Sequence, residues 1–277
     1  MTPTTCWICG GTTCPTALLD PFPFVECAAC GFVFCPELDQ DATRAIYEGG
    51  DYQQRLEYVD EGLTADRMRN AESRLRWVLA VAPATGRLLD IGAAAGAFVA
   101  AAGRNEFDAF GIEPSPEFAH FAREHLGLDV RDGRLEDLVG LDTSIDVITM
   151  WHVLEHIPQP VRALETAHRL LKPGGLLILE VPNADSIMAH RLGLAWTGSD
   201  PAVHVSQFTR STLAAALAAA HFEVVDLHTV SHALYQDRRE QIRSLPHRLQ
   251  LLRGGAPRTR HADRHEYLRA VARRQPI

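Results

Sequence analysis

Three groups of residues have the types and spacing to do chemistry. Cys6 and Cys9 form one C-x-x-C pair, and Cys27 and Cys30 form a second, with seventeen residues between the pairs. Each pair can grip a cation through two thiolates, and two pairs complete a tetrahedron around Zn²⁺. Gly10 and Gly31 follow the pairs and permit the tight turns such knuckles need. Four thiolates leave no open position for water, so such an ion would be structural. Two disulfides are the alternative, and the lack of a secretory leader pattern speaks against them. Cys14 and Cys35 fall outside the pattern and read as ordinary thiols.

The second group lies in "RLLDIGAAAGAF", Arg87 to Phe98, which reads as a strand entering a glycine turn and then a helix. A dinucleotide fingerprint begun at Gly92 needs glycines at 94 and 97, and both are alanine. Without them a pyrophosphate cannot come so near the backbone. Asp90, on the strand side of the turn, favours an ammonium-bearing ligand over a diphosphate. Glu113, 23 residues after Asp90 at the end of the next strand, can accept both hydroxyls of a ribose. A nucleoside with an amino-acid tail and no phosphates fits this pair.

The third group is His152-x-x-Glu155-His156. A helix here would set the two histidines on one face with Glu155 beside them. Each is a candidate general base for an acceptor hydroxyl or carbon acid, with His152, nearest the strand end, the first choice. The string also matches an inverted zinc-protease order, but Pro158 ends the helix too soon for that scaffold. The plainer alternative is that Glu155 and His156 brace the following turn. His204, in a later loop with Trp196 and Phe208, is a second base candidate.

The elements that must position these groups follow from periodicity. Residues 1–40 read as a zinc ribbon whose folding needs the metal, since forty residues bury too little apolar area alone. Residues 41–85 read as a linker and an amphipathic helix, with Met68, Ala71, Leu75, Val78, Leu79 and Ala82 at helical spacing before Pro83. Over 86–230, short apolar strands alternate with amphipathic helices. This predicts an α/β domain with a Rossmann-like, mostly parallel sheet and helices on both faces. Residues 231–277 hold eleven arginines against four acids and are expected to be helical. That segment carries +7 and leaves −15 on the remainder, within an overall charge of −8. It reads as a docking element on that acidic body or on a second subunit, as a clamp on an anionic acceptor, or as a solvated face.

"LLDIGAAAGAF" resembles the first motif of the class I S-adenosylmethionine-dependent methyltransferases. "GIEPS" is similar to their ribose-binding turn, "WHVLEHIPQP" to their segment after the fourth strand, and "LKPGGLLILEVPN" to their fifth strand. The likeness runs from about Arg87 to Leu227. The ribbon followed by "YEGGDY" resembles N-terminal modules of bacterial methyltransferases that act on sugars, cell-surface polymers and secondary metabolites. The resemblance implies S-adenosylmethionine as cofactor. It places Asp90, Gly92, Ala93, Gly96 and Phe98 around the methionine end, Glu113 and Pro114 at the ribose, and Arg134 and Leu135 at the adenine. Met150 and Trp151 fall on the methyl-transfer side, and the loop of Trp196, His204 and Phe208 becomes a lid over the acceptor. Ala94 departs from the glycine many members have.

The implied function is methyl transfer to oxygen or carbon of a small-molecule or glycan-like acceptor, in secondary metabolism or cell-surface glycan synthesis. An RNA methyltransferase using the ribbon and basic tail is the second reading, disfavoured because nucleic-acid-binding runs of lysines and aromatics are missing. A non-catalytic partner of the same fold is the third. No uninterrupted apolar stretch is long enough to span a membrane, and a cytoplasmic location is expected.

Overall fold

The computed structural model describes residues 5–16, 19, 22–38, 63–231 and 264–275. The expected linker around residues 41–54 and the arginine-rich stretch 238–260 lie outside the described residues.

Three short strands, β1 (Thr13–Pro15), β2 (Val25–Cys27) and β3 (Val33–Phe34), form an antiparallel ribbon. A 17-residue helix, α1 (Ala65–Val81), then buries Ala71, Leu75 and Val78, as the apolar spacing predicts. Its N-cap is Thr64, whose side chain accepts from the Arg67 N–H at 3.3 Å.

The α/β units follow as β4 (Gly86–Ile91), α2 (Ala97–Gly103), β5 (Phe107–Glu113), α3 (Pro116–Leu126) and β6 (Val130–Asp132). After them come β7 (Ile145–Trp151), α4 (Pro160–Leu170) and β8 (Leu171–Pro182). A short helix α5 (Ile187–Leu192), strand β9 (Ser206–Gln207), helix α6 (Arg210–Ala219) and β10 (Phe222–Val230) complete this stretch. Ser115 caps α3 and Thr209 caps α6 through side-chain oxygens, the short-polar-residue solution to orphaned helix N–H groups.

The last described strand, β11 (Tyr267–Arg274), corrects the helical reading of 231–277. It is inserted between β10 and β8, second from one edge of a seven-stranded sheet of order β10-β11-β8-β7-β4-β5-β6. β11 runs antiparallel to both neighbours, while β8-β7-β4-β5-β6 are parallel. Flanked on both edges and covered on both faces, it presents near-continuous apolar residues instead of alternation, which periodicity cannot tell from a helix. The boundary expected at 230 therefore cuts through the sheet.

The ribbon is also less separate than expected. β9 pairs with β3 (Val33 opposite Gln207, Phe34 opposite Ser206), so a segment of the α/β domain supplies the fourth strand. Phe32 stacks on Phe34 and lies 5.4 Å from the Phe208 ring, and Cys6, Cys27, Phe32 and Phe34 belong to the same apolar core as Leu89, Met150 and Leu213.

Candidate active site

Parallel strands place ligand sites beyond their carboxyl ends. There, past β4, β5 and β7, lies a cavity of about 360 Å³. Gly92 (φ 70°) turns the chain out of β4, and a Cβ on it would fall 2.5 Å from Val153 Cγ2. Gly96 (φ 84°) starts α2, and a Cβ there would meet Leu128 Cδ1 at 2.7 Å. Both positions require glycine. Between them Ala94 takes φ 46° without being glycine, a left-handed conformation that costs about 1–2 kcal/mol. That geometry points the Ala94 N–H at Glu113 Oε2, 2.8 Å away, while the Ser115 N–H donates to Oε1 at 2.9 Å. Glu113 thus ties the first turn to the second. Burial pushes its carboxyl up to about 7, against the pull of the two N–H donors. Each oxygen keeps a further lone pair for a ribose hydroxyl.

Gly92, Ala93, Glu113, Pro114, Arg134, Leu135 and Trp151 line this one cavity together with His152 and His156. Four expected cofactor residues do not, and neither do the expected catalytic residues Glu155 and His204. Met150 is fully buried in the core because successive strand residues face opposite sides, and it is Trp151 that faces the cavity. Phe98 packs on Trp151 from behind, with ring centroids 5.2 Å apart. Gly96 shapes the turn without lining it. Asp90 is buried beneath, accepting from Thr149 Oγ1 at 2.6 Å, and its burial raises the carboxyl to about 7. Leu63 and Arg67, at the start of α1, and Phe118, in the first turn of α3, line the cavity and were missed. For Phe118, the apolar residue three places past the capping Ser115 was the available signal.

The other end of the cavity departs from the helical reading of 152–156. Six residues separate Trp151 from Pro158, too few for two α-helical turns. The chain instead takes a left-handed step at His152 (φ 59°) and one 3-10 turn over Leu154–His156. His152 and His156 therefore share no helix face. The His152 ring lies between two acids, with Nδ1 3.3 Å from Glu155 Oε1 and Nε2 3.1 Å from Glu180 Oε1. Burial opposes its charged form, yet the two carboxylates outweigh burial and hold the imidazole above its usual range. Glu180 is in turn paired with Arg74 at 3.1 Å and with Arg269 of β11.

Burial pushes His156 down to about 4, so its ring is neutral at pH 7. Its Nδ1 lies 3.0 Å from the Val203 carbonyl, which can only accept, so that nitrogen carries the proton. The same holds for His204, whose Nδ1 lies 2.9 Å from the Gly198 carbonyl. The two rings meet edge to face at 4.6 Å. Trp196 and Phe208 are buried beside this loop and do not line the cavity.

In the ribbon, Cys6, Cys9, Cys27 and Cys30 bring their sulfurs within 4.8 Å of one another, and none is in a disulfide. Cys6 and Cys30 are 3.6 Å apart and Cys9 and Cys27 3.5 Å, near the separation of about 3.8 Å in a tetrahedral zinc–thiolate site. Gly10 and Gly31 (φ 70° and 71°) close matching turns, donating to the Cys6 and Cys27 carbonyls. Burial opposes ionisation of Cys27, but backbone N–H groups of Cys30 and Ala29 and the nearby thiols lower it to about 7. The donor set fits a soft, four-coordinate cation.

A family model described as a methyltransferase domain matches residues 62–227. The chain belongs to the class I methyltransferases. It is 33% identical over 135 residues to a ubiquinone biosynthesis O-methyltransferase of Cereibacter sphaeroides, which covers 47% of this chain and 52% of that protein. The enzyme of the same name from Xanthomonas campestris pv. campestris is 32% identical over 186 residues, 61% of this chain and 75% of its own length. The chain thus spans about half the length of the first of these relatives. In fold it is similar to the 1,6-didemethyltoxoflavin-N1-methyltransferase of Burkholderia thailandensis, solved with S-adenosylhomocysteine. The TM-score is 0.54 at 21% identity, covering 90% of this chain and 98% of that one. No helix among the described residues is long and apolar enough to cross a membrane.

Proposed function

We propose that the protein transfers the methyl group of S-adenosylmethionine to an oxygen of a small acceptor. The observation that carries this is Glu113. It is a buried carboxylate fixed by two backbone N–H groups at the end of β5, with lone pairs left for a ribose, in a cavity that continues to two histidines. The bound sulfonium would supply an already activated methyl group, so the protein's tasks are alignment and exclusion of water. Trp151 walls the cavity between the two ends, and Arg134 and Leu135 close the side assigned to adenine. If the acceptor is a hydroxyl, its proton leaves as the O–C bond forms. His152, whose ring nitrogens are held between two acids, is poorly placed to take that proton. Oxygen as the acceptor atom is supported by the O-methyltransferases to which the chain is similar.

We further assign Zn²⁺ to the four ribbon cysteines, in a structural role. The joining of the ribbon sheet to β9 supports a ribbon that shapes the enzyme over one that serves as a free RNA-binding module.

The test is calorimetry with S-adenosylmethionine, followed by transfer of labelled methyl to a panel of hydroxylated small molecules, glycans and RNA. Saturable cofactor binding with label appearing on a small hydroxylated compound is expected. Label on RNA alone, or a folded protein with no affinity for the cofactor, would overturn the reading.

A further inference from the structure

We propose that Glu155, His156 and His204 form a second divalent-cation site, at the acceptor end of the cavity and separate from the cysteine cluster. One nitrogen from each imidazole and one oxygen from the carboxylate lie within 4.8 Å of one another. A bound cation at about 2.1 Å from each would draw them to about 3.3 Å.

Two independent features point to a ligand there. First, Glu155 is 1% exposed, and neither of its oxygens accepts a hydrogen bond. His152 Nδ1 lies 3.3 Å from Oε1, an ion-pair contact without the alignment of a hydrogen bond. His152 offsets part of that buried charge, and the lone pairs left over are ones a cation could take up. Second, both histidines already give their Nδ1–H to backbone carbonyls, Val203 for His156 and Gly198 for His204. That arrangement fixes the tautomer in which Nε2 presents a lone pair, and it is the outer-sphere pattern that metal-bound histidines use. His152, pinned between Glu155 and Glu180, serves as the positioning group behind the carboxylate.

Two imidazoles and one carboxylate suit the first-row divalent ions Mn²⁺, Fe²⁺, Co²⁺ and Zn²⁺, and leave coordination positions open. His156 lines the same cavity as Glu113 and Trp151, so an open position would face the acceptor. Resting on the methyltransferase reading, the cation's role is that of a Lewis acid. It would hold the acceptor hydroxyl and ease loss of its proton to solvent. The oxygen then forms its bond to the methyl carbon as the carbon–sulfur bond breaks with its pair to sulfur.

Mn²⁺ is the probe, because it prefers nitrogen and oxygen donors and leaves a zinc-filled thiolate site alone. The full chain, with its ribbon zinc in place, is titrated while free Mn²⁺ is followed by electron paramagnetic resonance. One Mn²⁺ per chain is expected, weakened at least about 10-fold in His204→Ala and in Glu155→Gln. His204→Asn is the second loop variant should the alanine form fail to fold, and circular dichroism reports folding for each. No binding up to about 1 mM Mn²⁺, or equal binding in wild type and folded variants, overturns the site. Cofactor binding measured on the same samples separates the two readings. Mn²⁺ without S-adenosylmethionine keeps the cation site and removes the methyltransferase role, and the converse removes only the site.

Discussion

The two ends of the cavity are built in different ways. At the end proposed for the cofactor, the turn-forming and polar groups come from strand ends or the few residues after them. Gly92 and Ala94 follow β4, Glu113 ends β5, and Arg134 follows β6. At the acceptor end the parts are gathered from across the chain. His156 follows β7, His204 sits in the loop before β9, β9 is held by the ribbon strand β3, and Glu180 behind His152 is paired with Arg269 of β11. Local units can specify a common ligand repeatedly. A surface assembled from distant segments is free to differ from one enzyme to the next, as an acceptor site must.

The sharpest way to break this comparison is truncation after Ser231. If β11 were an appendage, the cofactor end would survive. Because it is an interior strand with ladders to both β8 and β10, the truncated chain is expected to show neither a cooperative thermal transition nor S-adenosylmethionine binding. A folded truncation that binds the cofactor would show β11 to be dispensable. Removing the metal proposed for the ribbon is the next test. Cys27→Ser with Cys30→Ser should release the zinc and loosen β3 from β9. Methyl transfer should fall at least ~100-fold, while the cofactor dissociation constant moves less than about threefold. Equal loss at both ends would mean that the ribbon and the sheet unfold as one unit.

The smallest effect is expected at Glu113. Replacing it with alanine should weaken S-adenosylmethionine binding by about 1.5–3 kcal/mol, the range for hydrogen bonds to a charged group, and leave Mn²⁺ uptake unchanged. The ribose hydroxyls need the ionised carboxylate as acceptor. With its carboxyl raised to about 7, cofactor affinity should therefore hold above that pH and fall below it. Glu113→Gln should abolish this dependence. A wild-type affinity flat from pH 5 to 8 would place the ribose elsewhere.

The same division explains what could be read from the sequence. The turns after β4 and β5 were legible because the glycine turn, Glu113 and the capping Ser115 lie within single β–α units, where spacing fixes geometry. The error on β7 was one residue wide, taking Met150 with Trp151 although strand neighbours face opposite sides. At the acceptor end, "YLRAVARR" is made of good helix formers, and burial on both faces removed the alternation that marks a strand. Nothing local announces that Val33 pairs with Gln207, or that His156 meets His204. Those contacts are decided by packing between segments far apart in the chain.

The interior place of β11, between β10 and β8, also sets an order of events during synthesis. β8 and β10 do not touch through their backbones. Each offers an edge to β11, which is made 37 residues after β10 ends. Until Arg274 has been made, both edges stand open and the apolar faces of β7 and β8 lack their neighbour. A nascent chain in that state is a template for pairing with other chains. Slower elongation or missing chaperones should therefore lower the yield of native protein more than they change its final stability, because the vulnerable interval ends when that strand slots in.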